Sequence, residues 1–265
     1  MLNQVPLFDE SIALNFITLK GDSVIFFGAG EYVEILIHCV KQLNINSIII
    51  CDNDINKHGS FIGGYKITSP KLAYDNFPTA KIVVSTSPRH IENLKITALE
   101  IGWKHIFDGA FLLANFSYDS NSFKEGLSSL HFKLDRFFFD YFKTFYPEKL
   151  VMPSLDVVVT EKCSLKCKDC SNLMQYYEAP KDQDFDTLFA SLDKVMDSVD
   201  HVMELRVLGG ETFMNRQAYL IINNLRKYKN YSRICVYSNG TIISRGEDLN
   251  CLKYEDTYLR ISDYG

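Results

Sequence analysis

Leu155-Asp156-Val157-Val158-Val159-Thr160, followed without a gap by Glu161-Lys162-Cys163-Ser164-Leu165-Lys166-Cys167-Lys168-Asp169-Cys170, decides how this chain is read. The apolar, β-branched run of six reads as a strand. The loop after it carries a Cys-x3-Cys-x2-Cys run, a spacing close enough for three thiolates to converge from one loop. Three ligands instead of four leave a coordination position open, and in catalytic metal sites that position is where substrate or cofactor binds. The residues by themselves leave three readings. One is an iron–sulfur cluster with an open iron. The second is a structural zinc completed by Cys235, Cys251 or a histidine. The third is three unrelated core thiols, since free cysteine is among the most buried residue types.

The same strand-then-loop logic recurs downstream. Met203-Glu204-Leu205-Arg206-Val207-Leu208 reads as a second strand with Gly209-Gly210-Glu211 at its carboxyl end, the side where ligands bind in parallel α/β sheets. Glycines there let a ligand approach the backbone, and a carboxylate there can accept charge-assisted hydrogen bonds from an ammonium group. The plainer reading is a turn leading into a helix with a glutamate in its first residues. Strands near 233–238 and 257–262 end in Ser238-Asn239-Gly240-Thr241 and Ser262-Asp263-Tyr264-Gly265, whose residue types also form ordinary turns. Four βα units thus begin in this half, which predicts a parallel sheet.

The order Cys-x3-Cys-x2-Cys after the first strand, Gly-Gly-Glu after the second and Ser-Asn-Gly-Thr after the third resembles the radical S-adenosylmethionine (SAM) enzymes. The resemblance implies that Cys163, Cys167 and Cys170 bind a [4Fe–4S] cluster whose open iron is chelated by the amino and carboxylate groups of SAM. It implies that Gly209, Gly210 and Glu211 hold the methionine amino group. It sets Ser238 or Asn239 near the methionine carboxylate or the ribose, and Ser262 at the ribose-contacting strand end. An electron from the reduced cluster, supplied by an external donor such as flavodoxin or ferredoxin, would cleave SAM to methionine and a 5′-deoxyadenosyl radical that abstracts hydrogen from a small-molecule substrate. Asp169 stands where many members carry an aromatic residue. The resemblance covers residues 151 to 265 and four strands, whereas the family's partial barrel usually has six. An incomplete barrel, from a fragment or a truncated reading frame, is therefore expected, and an inactive remnant stays among the readings.

Upstream, Val24-Ile25-Phe26-Phe27 ends in Gly28-Ala29-Gly30 and leads into Val33, Leu36, Ile37 and Val40 at helical spacing, which gives strand, tight turn and helix. Ser47 to Cys51 and Lys81 to Ser87 read as further strands, separated by the Gly63-Gly64 turn and the Ser69-Pro70 break. Gly28 and Gly30 form a Gly-x-Gly turn, and Asp52 ends the second strand about where a ribose-binding acid is expected, while Val33 replaces a third glycine. The segment through Cys51-Asp52-Asn53-Asp54, Gly63-Gly64-Tyr65-Lys66-Ile67 and Ser69-Pro70 resembles the small Rossmann-like domain that precedes the catalytic part of some bacterial sugar acetyltransferases. That implies a nucleotide or nucleotide-linked sugar as ligand, against a purely structural or partner-docking domain.

The organisation expected is an α/β chain in three parts. Residues 1–115 form a Rossmann-like parallel sheet domain, 116–150 a helical, aromatic-rich connector between domains, and 151–265 an incomplete radical SAM partial barrel. A length of 265 residues suits two cores. A net charge of −5 with scattered cations argues against nucleic acid as a partner. The start Met1-Leu2-Asn3-Gln4-Val5-Pro6 lacks the features of a signal peptide and no apolar run approaches a membrane span, so a cytoplasmic protein is expected. In that setting seven cysteines speak for metal or catalysis more than for disulfides. The six histidines, His38, His58, His90, His105, His131 and His201, lack the paired spacing of a metal site and read mostly as surface or helix residues.

Overall fold

Val24, Ile25, Phe26 and Phe27 are all buried, so strand β1 (Val24–Phe27) has no polar face and must be covered on both sides, as the centre of a parallel sheet is. The computed structural model describes residues 23–42, 45, 47–114, 126–242 and 246–263, and for 126–129, 131, 247 and 248 the backbone alone. These fall into two compact units that part between Tyr146 and Pro147.

In the first unit β1 is flanked by two parallel neighbours, β2 (Ile48–Cys51) and β5 (Lys81–Val84). The full order is β3-β4-β2-β1-β5-β6, with β3 (Phe61–Ile62), β4 (Tyr65–Thr68) and β6 (Ile106–Asp108). Every pairing is parallel except the β3–β4 hairpin. Gly63 and Gly64 make that hairpin's two-residue turn at φ 54° and 85°, the left-handed pair that such turns require. Helix α1 (Val33–Gln42) follows β1, and α2 (Pro70–Asn76), α3 (Ile91–Ile101) and α4 (Ala110–Ala114) follow β4, β5 and β6. The sheet is doubly wound, with its change of direction at β1. The aromatic run Phe132 to Tyr146 lies almost wholly on helix α5 (Gly126–Phe145) and belongs to this unit. Phe137 meets Tyr32 edge-on at 4.8 Å, and the Tyr141 hydroxyl donates to Asp108 at 3.0 Å. The first part of the expected connector, 116–125, lies outside the described residues.

The second unit is built on β7 (Val151–Met152), β8 (Leu155–Thr160), β9 (His201–Gly209), β10 (Tyr231–Ser238) and β11 (Thr257–Ile261), and every pairing is parallel. β7 and β8 share one side of β9, and β10 then β11 continue on the other. The four expected strands therefore lie side by side in chain order. One face is apolar: Val157, Val159, Leu205, Val207, Ile234 and Val236 pack against Phe189, Leu192 and Met196 of α6 (Phe185–Ser198) and against Ile221, Ile222 and Leu225 of α7 (Ala218–Leu225). Asp184 caps α6 by accepting from Thr187 N–H at 2.9 Å. The alternate residues, Asp156, Glu204, Arg206, Arg233, Tyr237 and Arg260, are polar, which is unusual for parallel strands and marks a face that is no hydrocarbon core. Among the described residues no helix is long and apolar enough to cross a membrane.

His201 departs from the surface position expected of most histidines. It is buried at the start of β9, with Nε2 2.7 Å from Ser232 Oγ and Nδ1 without a hydrogen-bond partner. Burial pushes its pKa down from 6.5 to about 4. A depressed histidine keeps the native state from binding a proton that the unfolded chain takes up, so stability is lost as pH falls from 6.5 towards 4. The loss over that window is about 3 kcal/mol. Urea unfolding at pH 7 and pH 4.5 checks this: His201→Leu should flatten the acid limb, and an unchanged pH dependence would refute the assignment.

Candidate iron–sulfur site

All four carboxyl ends of β8 to β11 open on one cavity of about 410 Å³. Its lining includes Cys163, Cys167 and Cys170, then Gly209 and Gly210, then Ser238 and Asn239, and finally Ser262. Residues contributed from four separate strand ends are thereby brought to one space, as the topology of consecutive parallel strands demands. Tyr264 and Gly265 lie outside the described residues. The three cysteines are half-buried, whereas Cys39, Cys51, Cys235 and Cys251 are buried, so the clustered thiols are not core residues.

The cysteine loop is seated on the two glycines. Gly210 N–H donates to Thr160 O at 3.0 Å and Glu211 N–H to Lys162 O at 2.8 Å. A Cβ on Gly209 would stand 2.2 Å from Thr160 O, and one on Gly210 would stand 2.2 Å from Lys162 O and 2.8 Å from Cys163 Cβ. Close backbone approach is what requires glycine here, and the approaching backbone is the protein's own cysteine loop as well as any ligand. On the far side Thr160 Oγ1 and Lys162 Nζ both donate to Asp182, each at 2.7 Å. Asn215 Nδ2 donates to Val159 O at 2.8 Å. Asp182 and Asn215 were not singled out from the sequence, because nothing local says where their side chains turn.

Glu211 is fully buried and its carboxylate does not line the cavity. Its oxygens accept from Ser238 Oγ at 2.8 Å, Asn239 N–H at 2.6 Å and Phe213 N–H at 3.2 Å. Where the resemblance gives it a ligand's ammonium, the structure gives it the next strand end: Glu211 ties the Ser238-Asn239 turn to the Gly-Gly turn. Asn239 in turn reaches the cysteine loop, with Nδ2 3.7 Å from Cys163 Sγ and 3.2 Å from Ser164 Oγ. Ser164 Oγ and Thr241 Oγ1 share a further hydrogen bond.

Residues 155–259 match the family model of the 4Fe-4S single cluster domain. The match opens on the first residue of β8 and closes within β11, so it takes in all three thiols and every cavity-lining residue named above except Ser262. It supports iron–sulfur binding by the second unit. A comparison with curated proteins finds none that matches the chain.

The donor set suits such a group. Three cysteine sulfurs, soft donors of the kind that iron–sulfur clusters take, belong to the cavity lining. Beside them Gln175 Oε1, a buried acceptor on the cavity lining, has no hydrogen-bond partner and so asks for a donor from a ligand. Cys235 and Cys251, the cysteines that would complete a zinc site, are buried, and neither they nor any described histidine lines the cavity.

The first unit's expected ligand residues stand as follows. Gly28 has φ 110°, and a Cβ there would lie 2.9 Å from Ser85 O, so the turn needs glycine; at Gly30 the nearest atom would be Ser85 O at 4.0 Å. Val33 is fully buried as the first residue of α1. The Asp52 carboxylate accepts from Ala29 N–H at 2.7 Å, Asp54 N–H at 2.8 Å and Lys57 Nζ at 2.9 Å. Burial alone would raise its pKa, but these hydrogen bonds and the Lys57 charge hold it below the ordinary carboxylate value. Asp52 thus clips the loop after β2 to the turn after β1.

Proposed function

We propose that the second unit is a radical SAM catalytic unit that holds a [4Fe–4S] cluster on Cys163, Cys167 and Cys170 and binds SAM beside it. The observation that carries the reading is the convergence of the three thiols, the Gly209-Gly210 turn, the Ser238-Asn239 turn and Ser262 on one cavity. Held by Cys163, Cys167 and Cys170, such a cluster would supply the single electron for reductive cleavage of SAM and so the radical chemistry that removes hydrogen from a substrate.

The chain's own residues bind, orient and exclude water. Gly209 and Gly210 line the space for the methionine head. Ser238 and Asn239 hold their turn against buried Glu211, so the wall facing the methionine carboxylate or ribose is pre-organised. Ser262 N–H donates to Ser238 O at 2.9 Å, which keeps the ribose-facing strand end in register with its neighbour. Gln175 Oε1, with no protein partner, suits an N–H donor such as an adenine amino group. The polar face below the cavity, reached through Asp156 and Tyr237, suits a hydrophilic small-molecule substrate. A nucleotide-linked sugar or surface-glycan precursor fits this. Taken by itself, the Rossmann-like first unit would bind a nucleotide or nucleotide-linked sugar near Gly28, Gly30 and Asp52. Electrons would come from an external flavodoxin-like or ferredoxin-like donor.

The test is anaerobic reconstitution of the full chain with iron and sulfide, followed by metal analysis and the EPR spectrum of the dithionite-reduced protein with and without SAM. The expected result is a cluster signal that SAM perturbs and that Cys163→Ala abolishes. Tightly held zinc with no such signal would sink the reading.

A further inference from the structure

We propose that Asn239 tunes the reduction potential of the cluster by donating a hydrogen bond to the Cys163 sulfur, a positioning role that rests on the cluster-binding reading above.

The orientation of the Asn239 carboxamide is fixed by its surroundings. Its Oδ1 accepts from Thr241 N–H at 3.0 Å and from Thr241 Oγ1 at 2.7 Å. A backbone N–H can only donate, so the oxygen belongs on that side and the NH2 group is left facing the cysteine loop. There it meets Cys163 Sγ at 3.7 Å and Ser164 Oγ at 3.2 Å, one proton for each. The main chain is held as well, because Asn239 N–H donates to the buried Glu211 carboxylate at 2.6 Å. Cys163 Sγ also accepts from Leu165 N–H at 3.5 Å. Among the described residues neither Cys167 nor Cys170 receives a hydrogen bond at its sulfur, so the donors are concentrated on one of the three thiols.

A hydrogen bond to a ligating thiolate draws electron density from the sulfur, and hydrogen bonds to the sulfurs are one of the means by which proteins set cluster potentials. When an external one-electron donor reduces the cluster, the cluster gains one negative charge and the reductant loses one electron. The N–H dipole of Asn239 stabilises the more negative state more, so it favours reduction. Leu165 contributes through its backbone, which side-chain replacement leaves in place. Asn239 is the donor that substitution can remove.

The experiment is an EPR-monitored redox titration, without SAM, of the anaerobically reconstituted full chain as parent, Asn239→Leu and Asn239→Asp. At the parent's midpoint potential the ratio of reduced to oxidised cluster should fall about tenfold in Asn239→Leu, equivalent to a shift of about 59 mV for one electron. It should fall further in Asn239→Asp, which keeps the shape but sets a carboxylate beside the sulfur. Loaded variants that titrate at the parent's potential would overturn the proposal while leaving cluster binding intact. Loss of the cluster from both variants would make Asn239 a residue of loop assembly and overturn it too. A parent that takes up no iron and sulfide would overturn the functional reading itself, and this proposal with it.

Discussion

Gly210→Ala is expected to remove the cluster and to destabilise the second unit by about 3 kcal/mol or more, because overpacking against backbone has no cheap relaxation. The added methyl would lie 2.2 Å from Lys162 O and 2.6 Å from Lys162 C. Neither atom is the end of a flexible side chain. Moving Lys162 O away breaks its hydrogen bond with Glu211 N–H, and Glu211 is the residue that holds the Ser238-Asn239 turn. Cys163, whose own Cβ would be 2.8 Å from the new carbon, shifts with Lys162. One methyl thus displaces a thiol and loosens the opposite wall. Iron and sulfide content after anaerobic reconstitution, with urea unfolding of the unreconstituted protein, reads both effects. Gly30→Ala is the control, since its added carbon would meet nothing nearer than 4.0 Å. Parent-like iron content and stability in Gly210→Ala would show that the cysteine loop does not rest on the glycine turn.

Much of this architecture is legible in the residues. Four apolar strand cores, each followed by small or cysteine residues, specify both the parallel sheet and the end of it that carries chemistry, because in a βα succession all carboxyl ends point the same way. The direction of Glu211 is not legible in the same way. A buried carboxylate after two glycines satisfies a ligand's ammonium or the next turn's N–H and O–H equally well, and only the position of Ser238 across the sheet decides between them. β6, three residues long, and the β3–β4 hairpin are similarly hard to read, being too short for periodicity to show. The polar face of the second sheet is written plainly as a period of two in Glu204-Leu205-Arg206-Val207 and in Arg233-Ile234-Cys235-Val236-Tyr237. Seeing it there requires asking what each alternate residue faces, a question that apolar runs discourage.

That face carries the second large effect, at Glu204. Its carboxylate, 4% exposed, accepts from Arg206 Nε and Arg233 Nε, each at 2.9 Å, and from Tyr237 Oη at 3.4 Å. Burial pushes its pKa up; the Arg233 charge and the hydrogen bonds from Arg206 and Arg233 offset this and hold it below the ordinary value. Arg233 is itself 3% exposed, so Glu204→Gln withdraws the negative charge from beside a buried cation, a change that costs about 3–5 kcal/mol. Replacing both residues, as in Glu204→Leu with Arg233→Met, should recover most of that loss, because a buried pair exchanged for apolar residues of similar volume is close to neutral. The pH dependence supplies a separate check. A depressed carboxylate contributes fully above its unfolded value of about 4.3 and loses that contribution as pH falls through the folded value. The Glu204→Gln difference should therefore shrink only in that acid range, below most of the window in which His201 acts. Tyr237, which lines the cavity, accepts from Arg260 Nη1 at 2.7 Å and donates towards Glu204. The charges that stabilise this face thus also hold one wall of the cavity in place. If Glu204→Gln unfolds at the parent's urea midpoint, the network is a solvated set of charges and not a fixed support for the site.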